Sequence, residues 1–244
     1  MRQFMGVRNV RKFFVVSDIH GYYDELITAL NEAGFDPQNE NHWLITCGDH
    51  FDRGSQPLQV MFYLCSLPRK ILVKGNHEEL LMECIERQYP MSHDWHNGTA
   101  QTIIDLAPKA KTFEEACKHT KALVKDFLAE MVDYAELKNY IFVHSFIPYG
   151  HNWRNSSAQL WSEARWVNPY QWVHEGLLPD KILVFGHYHT SWAYHHYENK
   201  PEWGEDADFS IYRGDGYIAI DACCAYSGKI NCLVVEDDFL GVEV

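Results

Sequence analysis

No run of about 18 apolar residues occurs in this 244-residue sequence, so no membrane-spanning helix is expected. The N-terminal Met1-Arg2-Gln3-Phe4-Met5-Gly6-Val7-Arg8 carries basic residues without an apolar stretch behind it. Phe13-Phe14-Val15-Val16 is too short for that purpose and runs straight into Asp18, so a secretory leader is not expected either. The seven cysteines are odd in number and show no C-x-x-C spacing, which fits reduced thiols in the cytoplasm better than a disulfide framework. The adjacent Cys223 and Cys224 read as strand residues facing opposite ways. Positive charge is scarce: 21 Lys and Arg stand against 34 Asp and Glu, a formal charge of −13. That balance disfavours a nucleic-acid polymer as partner, and two bound divalent cations would not reverse it. Internal repeats and low-complexity linkers are lacking as well.

What is present suits one α/β domain spanning residues 1–244. Apolar runs over 13–17, 43–47 and 69–73 read as strands, separated by helical patterns over 22–34 and 56–67 and followed by one over about 78–88. This alternation implies right-handed βαβ units around a largely parallel sheet. Residues 89–139 break it and read as a helical insertion: a loop over 89–98, then helices over 101–106 and 113–134. Strands return at 140–144 and 181–185. The tail, with runs at 211–213, 217–221 and 230–235 and glycines between them, reads as an antiparallel meander.

Three short motifs follow the first three strands: Ser17-Asp18-Ile19-His20-Gly21, Gly48-Asp49-His50-Phe51-Asp52-Arg53-Gly54 and Gly75-Asn76-His77-Glu78. In parallel sheets, ligands collect beyond the carboxyl ends of the strands. Carboxylate, amide and imidazole groups held together there suit a divalent cation. Asp18 and His20 are two residues apart, which turns both side chains to one side of a strand end. His144 and His187 also end apolar runs and are further candidates.

Together these motifs resemble the signature of the calcineurin-like metallophosphoesterases and, within them, the phosphoprotein phosphatases of bacterial and bacteriophage lambda type. The resemblance implies a four-layer αββα sandwich of two mixed β-sheets flanked by helices. It implies two divalent metal ions, Mn²⁺ in most bacterial and phage relatives, with Fe or Zn compatible with the same donors. Asp18 and His20 would bind the first ion, Asp49 would bridge, and Asn76, His144 and His187 would bind the second. A metal-bridging hydroxide would attack phosphorus in line. His77 would protonate the leaving oxygen, oriented by Asp52, and Arg53 would hold the phosphoryl group together with Asn76. A second phosphate arginine is expected at Arg165, in Leu160-Trp161-Ser162-Glu163-Ala164-Arg165, with Arg154 as competitor. His189 competes with His187, whereas His50 falls at a variable position. His93-Asp94-Trp95-His96-Asn97-Gly98-Thr99 is similar to a loop that borders the site in the phage enzymes.

The implied function is phosphomonoester hydrolysis on serine or threonine of phosphorylated proteins, or on a small phosphoester. Asp52 favours this branch over the symmetric diadenosine tetraphosphatases, which often lack it. A dinucleoside polyphosphate hydrolase is the alternative reading, and an inactive phosphatase-like binding protein is a third.

Overall fold

The computed structural model describes residues 11–237; the N-terminal octapeptide discussed above lies outside them. β1 (Arg11–Val16), β2 (His42–Cys47) and β3 (Lys70–Val73) run parallel, linked by α1 (Tyr23–Ala33) and α2 (Pro57–Ser66). Their continuous apolar sequences follow from burial on both faces. Phe14, Val16, Leu44 and Leu72 face a helical layer, while Phe13, Val15, Ile45 and Val73 face the second sheet. α1 stops at Gly34, whose left-handed backbone lets its N–H reach the carbonyls of Leu30 and Asn31.

The helical layer is completed by α3 (Asn76–Arg87), α4 (Ser92–Asn97), α5 (Thr99–Leu106) and α6 (Phe113–Ala129). Ile103, Cys117, Val124 and Phe127 pack into the same core as Leu26 and Leu64, so these helices build the outer layer of the first sheet. Two boundaries differ from the sequence expectation. Within the expected loop 89–98, Asp94 accepts hydrogen bonds from Met91 N and Arg87 and closes the short α4. The last helix stops at Ala129 because Val132 turns to pair with the end of β3, its N–H bonding to Leu72 O at 2.9 Å.

The second sheet has the order β4 (Ala135–Glu136), β5 (Tyr140–Phe142), β6 (Ile182–Phe185), β8 (Tyr217–Ala219), β7 (Tyr212–Gly214), with β5, β6 and β8 parallel. Its outer face is covered by α7 (Ala158–Ala164), α8 (Pro169–His174) and α9 (Thr190–Glu198) around Trp153, Trp161, Tyr170 and Phe185. Three apolar cores therefore separate four layers, helices, sheet, sheet and helices, as the resemblance implied.

The tail is not a meander. β7 and β8 form a hairpin, and β8 then lies parallel to β6. After α10 (Cys224–Ser227) the chain crosses to the first sheet, where β9 (Leu233–Asp237) pairs antiparallel with β1. Its alternating burial suits an edge strand with Leu233 and Val235 turned toward the intersheet core. Turn residues mark where strands end but not which sheet the next one joins. Cys223 and Cys224 open α10, so the strand reading of this pair is also corrected.

At the end of β9, Asp237 accepts from Asn139 N (2.8 Å) and Asn139 Nδ2 (2.9 Å), tying the first sheet to the β4–β5 turn of the second. Asp237→Ala removes both of these part-buried hydrogen bonds to a carboxylate, and urea unfolding should register a loss of about 1–3 kcal/mol. An unchanged midpoint would remove the strap from the account of how the sheets are held.

Candidate metal centre

The first and second motifs are stitched together by backbone hydrogen bonds: Asp18 N to Gly48 O (3.1 Å), His20 N to Asp49 O (2.9 Å) and Gly21 N to His50 O (2.9 Å). The third motif docks through Glu78, whose carboxylate accepts from Asp49 N, Gly75 N, His50 N and His50 Nδ1 at 2.8–3.1 Å. Burial alone would raise its pKa, but the His50 ring and these hydrogen bonds hold Glu78 well below the ordinary carboxylate range. The motifs approach so closely that a Cβ on Gly75 would lie 2.1 Å from Asp49 Oδ1. At Gly186 a Cβ would lie 2.1 Å from Asp18 Oδ2.

Two groups of donor atoms result, and they share Asp49. His20, Asp49 and His77 form one; Asp49, His144 and His187 form the other. Asp49 Oδ2 is 3.6 Å from His20 Nε2, while Oδ1 is 3.4 Å from His144 Nε2, so its two oxygens serve opposite sides. Asp18 joins the first side, 4.0 Å from His20 Nε2, with its other oxygen accepting from His187 N at 2.9 Å. Asn76 joins the second side, with Oδ1 2.7 Å from His144 Nε2. His20 and His144 each give Nδ1–H to a backbone carbonyl, of Phe51 and Cys47 respectively, both at 2.8 Å. That bond fixes the tautomer in which Nε2 presents its lone pair to the centre. Lone pairs of carboxylate, amide and imidazole facing one another are costly by themselves and are what a divalent cation requires. The residues present therefore fit such ions.

Beside this group lies a second constellation. His77 Nδ1–H donates to Asp52 Oδ2 at 2.7 Å, and the same oxygen accepts from the Thr99 hydroxyl at 2.6 Å. Burial would lower the His77 pKa, but the Asp49 charge and the Asp52 partner outweigh it and raise it. Arg53 extends over both rings, NH1 at 2.8 Å from His20 Nε2 and NH2 at 3.4 Å from His77 Nε2. Asp52 N donates to Thr102 Oγ1, and a Cβ at Gly98 would meet Arg53 N at 2.3 Å. The 93–99 segment thus borders the site, as its sequence suggested.

Other candidates lie elsewhere. Arg165 is buried behind the third motif, with Nε on Lys74 O and its two terminal nitrogens on Glu79 and Asp133. The guanidinium expected to hold a phosphate is here committed to two carboxylates. Arg154 pairs through two nitrogens with Glu136 and lies over Trp153, on the outer side of the second sheet. His189 accepts Trp192 N at the start of α9 and contacts Ser191 Oγ and Glu202, so it is a helix cap while His187 faces the centre. His50 is fully occupied by Glu78 and Thr46.

Four participants had no distinct signal in the sequence. Thr99 and Thr102 reach Asp52 only because α5 packs over the second motif, and Glu78 stood in its motif without an assigned part. Asp221, buried two residues beyond β8, lies within electrostatic reach of Asp18 and Asp49. Burial and neighbouring carboxylates raise Asp18 well above the usual range, and burial lifts Asp221 to about 6.

The comparisons agree with this geometry. The calcineurin-like phosphoesterase profile matches residues 11–219, and the chain belongs to that family. Serine/threonine-protein phosphatase 2 of Salmonella typhimurium is 29% identical over 188 residues, covering 72% of this chain and 79% of that protein. A symmetrical bis(5'-nucleosyl)-tetraphosphatase of Salmonella arizonae is 23% identical over 92% of this chain and 91% of its own length. Among solved structures, a putative diadenosine tetraphosphatase superposes with a TM-score of 0.56 at 16% identity, covering 95% of both chains. A cold-active protein tyrosine phosphatase superposes at 0.52 and 16% identity, covering 93% of this chain and 76% of that one. At such identity these two structures bear on the fold alone. The family consists of hydrolases that use divalent metal ions, in keeping with the donor groups described above.

Burial holds His144 and His187 at about 3, against 6.5 for an ordinary histidine. Below pH 6.5 the unfolded chain binds protons that these rings refuse when folded, so their contribution to stability is complete above that pH and is lost as pH falls toward 3. Between pH 7.5 and 5 the Tm of metal-stripped His187→Gln should therefore fall less, or rise more, than that of metal-stripped wild type. Identical slopes would show that His187 is not held neutral. Asp18, Asp49, His77 and Asp221, whose raised pKa values act in the opposite direction, titrate in both proteins, so the difference between the two slopes is what reports on His187.

Proposed function

We propose that this chain is a metal-dependent phosphomonoesterase of the cytoplasm that removes phosphate from serine or threonine of proteins. The observation that carries this reading is the His77–Asp52 pair at 2.7 Å, set beside Arg53 and the shared Asp49. Asp18 and His20 would hold one cation, Asn76, His144 and His187 another, and Asp49 both. Mn²⁺ suits these nitrogen and oxygen donors, as do Fe and Zn. Bound there, the ions supply Lewis acidity toward water and toward the phosphoryl oxygens.

The chain's own residues account for the rest. Arg53 presents its guanidinium over the centre, where a planar fork matches two phosphoryl oxygens. His77 Nε2 faces the same space, and Asp52 at Nδ1 favours the cationic ring and orients it to give a proton to the departing alkoxide. Thr99 fixes Asp52 in turn. Direct attack on phosphorus needs no enzyme nucleophile. Arg165 braces the third motif through Lys74 O and Glu79, and a part in phosphate binding would require it to leave those partners.

A dinucleoside polyphosphate hydrolase is the second reading, favoured by the Salmonella arizonae relative that aligns over nearly the whole chain. The two readings share the centre and differ in the leaving group. An inactive binding protein accords poorly with a complete set of donors and a poised acid.

Metal-stripped protein titrated with Mn²⁺ should hydrolyse a phosphoserine peptide with kcat/KM at least equal to that for diadenosine tetraphosphate. A strong preference for the dinucleotide would transfer the assignment to the second reading, and no turnover with bound Mn²⁺ would favour the third. His77→Asn should lower kcat by roughly 10²–10⁴ with Mn²⁺ uptake retained. Unchanged turnover of a poor leaving group would remove the acid role. Arg53→Ala should cost on the order of 10² in kcat/KM, whereas a loss below about threefold would remove the arginine from phosphate binding.

A further inference from the structure

Among the described residues, six strands of the two sheets run parallel to a neighbour: β1, β2 and β3 in the first sheet, β5, β6 and β8 in the second. Four of them present a donor side chain two residues past their last residue: Asp18 after Val16, Asp49 after Cys47, His144 after Phe142 and His187 after Phe185. β3 does so three residues on, with Asn76. The sixth strand, β8, ends at Ala219, and two residues on stands Asp221. Phe185 and Ala219 are register partners, so Asp221 stands level with His187 at the same sheet edge. Ile220 N to Phe185 O and Thr190 N to Asp221 O, both at 2.9 Å, hold it there.

Asp221 is 6% exposed. Its Oδ1 accepts Cys223 N at 2.6 Å, and among the described residues no lysine, arginine or histidine pairs with its carboxylate within 4.0 Å. The charges that act on it are those of Arg53, which opposes the effect of burial, and of the buried carboxylate Asp49, and Asp221 in turn acts on the buried Asp18. A buried carboxylate set beside others of the same sign is destabilising unless a cation is supplied.

We propose that Asp221 is the third carboxylate of the cation-binding centre and sets the affinity of the side formed by Asp18, His20 and Asp49. Two divalent cations bring four positive charges, against two negative ones from Asp18 and Asp49. Asp221 supplies a third from the last free strand end. It is a positioning residue: it retains and orients the ion that Asp18 holds. This inference rests on the metal-centre reading but is indifferent to whether the substrate is a phosphoprotein or a dinucleotide.

Asp221→Asn separates charge from architecture, because the amide oxygen still accepts Cys223 N. Calorimetric titration of metal-stripped protein with Mn²⁺ should show two ions bound by the wild type. One of the two should be weakened 10–100-fold in the variant. The Tm of the stripped variant should equal or exceed that of the wild type, since the repulsion between Asp18 and Asp221 is relieved. A weakening of less than tenfold, or a fall in the stripped Tm, would overturn the proposal and leave Asp221 as a cap for the turn into α10. Wild type that takes up no Mn²⁺ would overturn the metal-centre reading itself, and this role with it.

Discussion

The arrangement depends on one carboxylate placed where two sheets meet. Asp49 accepts His77 N with Oδ1 and turns the same oxygen to His144, while Oδ2 faces His20. Its backbone carbonyl takes His20 N and its backbone N–H is given to Glu78. The first and third motifs and the end of β5 are thus positioned from a single residue. No aliphatic side chain supplies those acceptors, and glutamate, one methylene longer, would displace both oxygens. The absence of a Cβ at Gly75 is the counterpart of that demand, since nothing larger fits against Asp49 Oδ1.

Holding so many polar groups in one place has a conformational cost. Nine non-glycine residues among those described adopt positive φ, and seven lie in or beside the centre: Asp18, His20, Asp49, Asp52, Arg53, His187 and Cys223. Such backbone costs of order 1 kcal/mol or more per residue and persists only where the surroundings over-determine it. Those surroundings are visible: the stitching between the first two motifs, the four hydrogen bonds collected by Glu78, and the two threonines of α5 that fix Asp52. The strain lies where donors must converge, while the sheets and helices beneath adopt ordinary geometry.

Much of this was legible in the sequence, for local reasons. β1, β2 and β3 are buried on both faces, so each appears as an unbroken apolar run, and each is followed directly by its motif. What the sequence could not show involved distance. β9 alternates like any edge strand, and nothing near it states that its partner is β1, more than two hundred residues earlier. α4 depends on Asp94 finding Met91 N, which a loop-like composition conceals. Arg165 ends a segment matching a phosphate-binding stretch, but its surroundings include Glu79 and Asp133, which arrive from other elements.

The sequence by itself determined the strand-end motifs, the order of βαβ units and which residues are candidate donors, because these follow from periodicity, from residues adjacent in the chain and from the resemblance their motifs carry. Only the tertiary structure decided which imidazole of the His187 and His189 pair faces the centre, that Thr99 supports Asp52, and that Asp221 stands level with His187. Those facts depend on through-space contacts between segments far apart in the chain. A side chain's neighbours across a sheet edge are set by register and packing, and neither is written in the residues on either side of it.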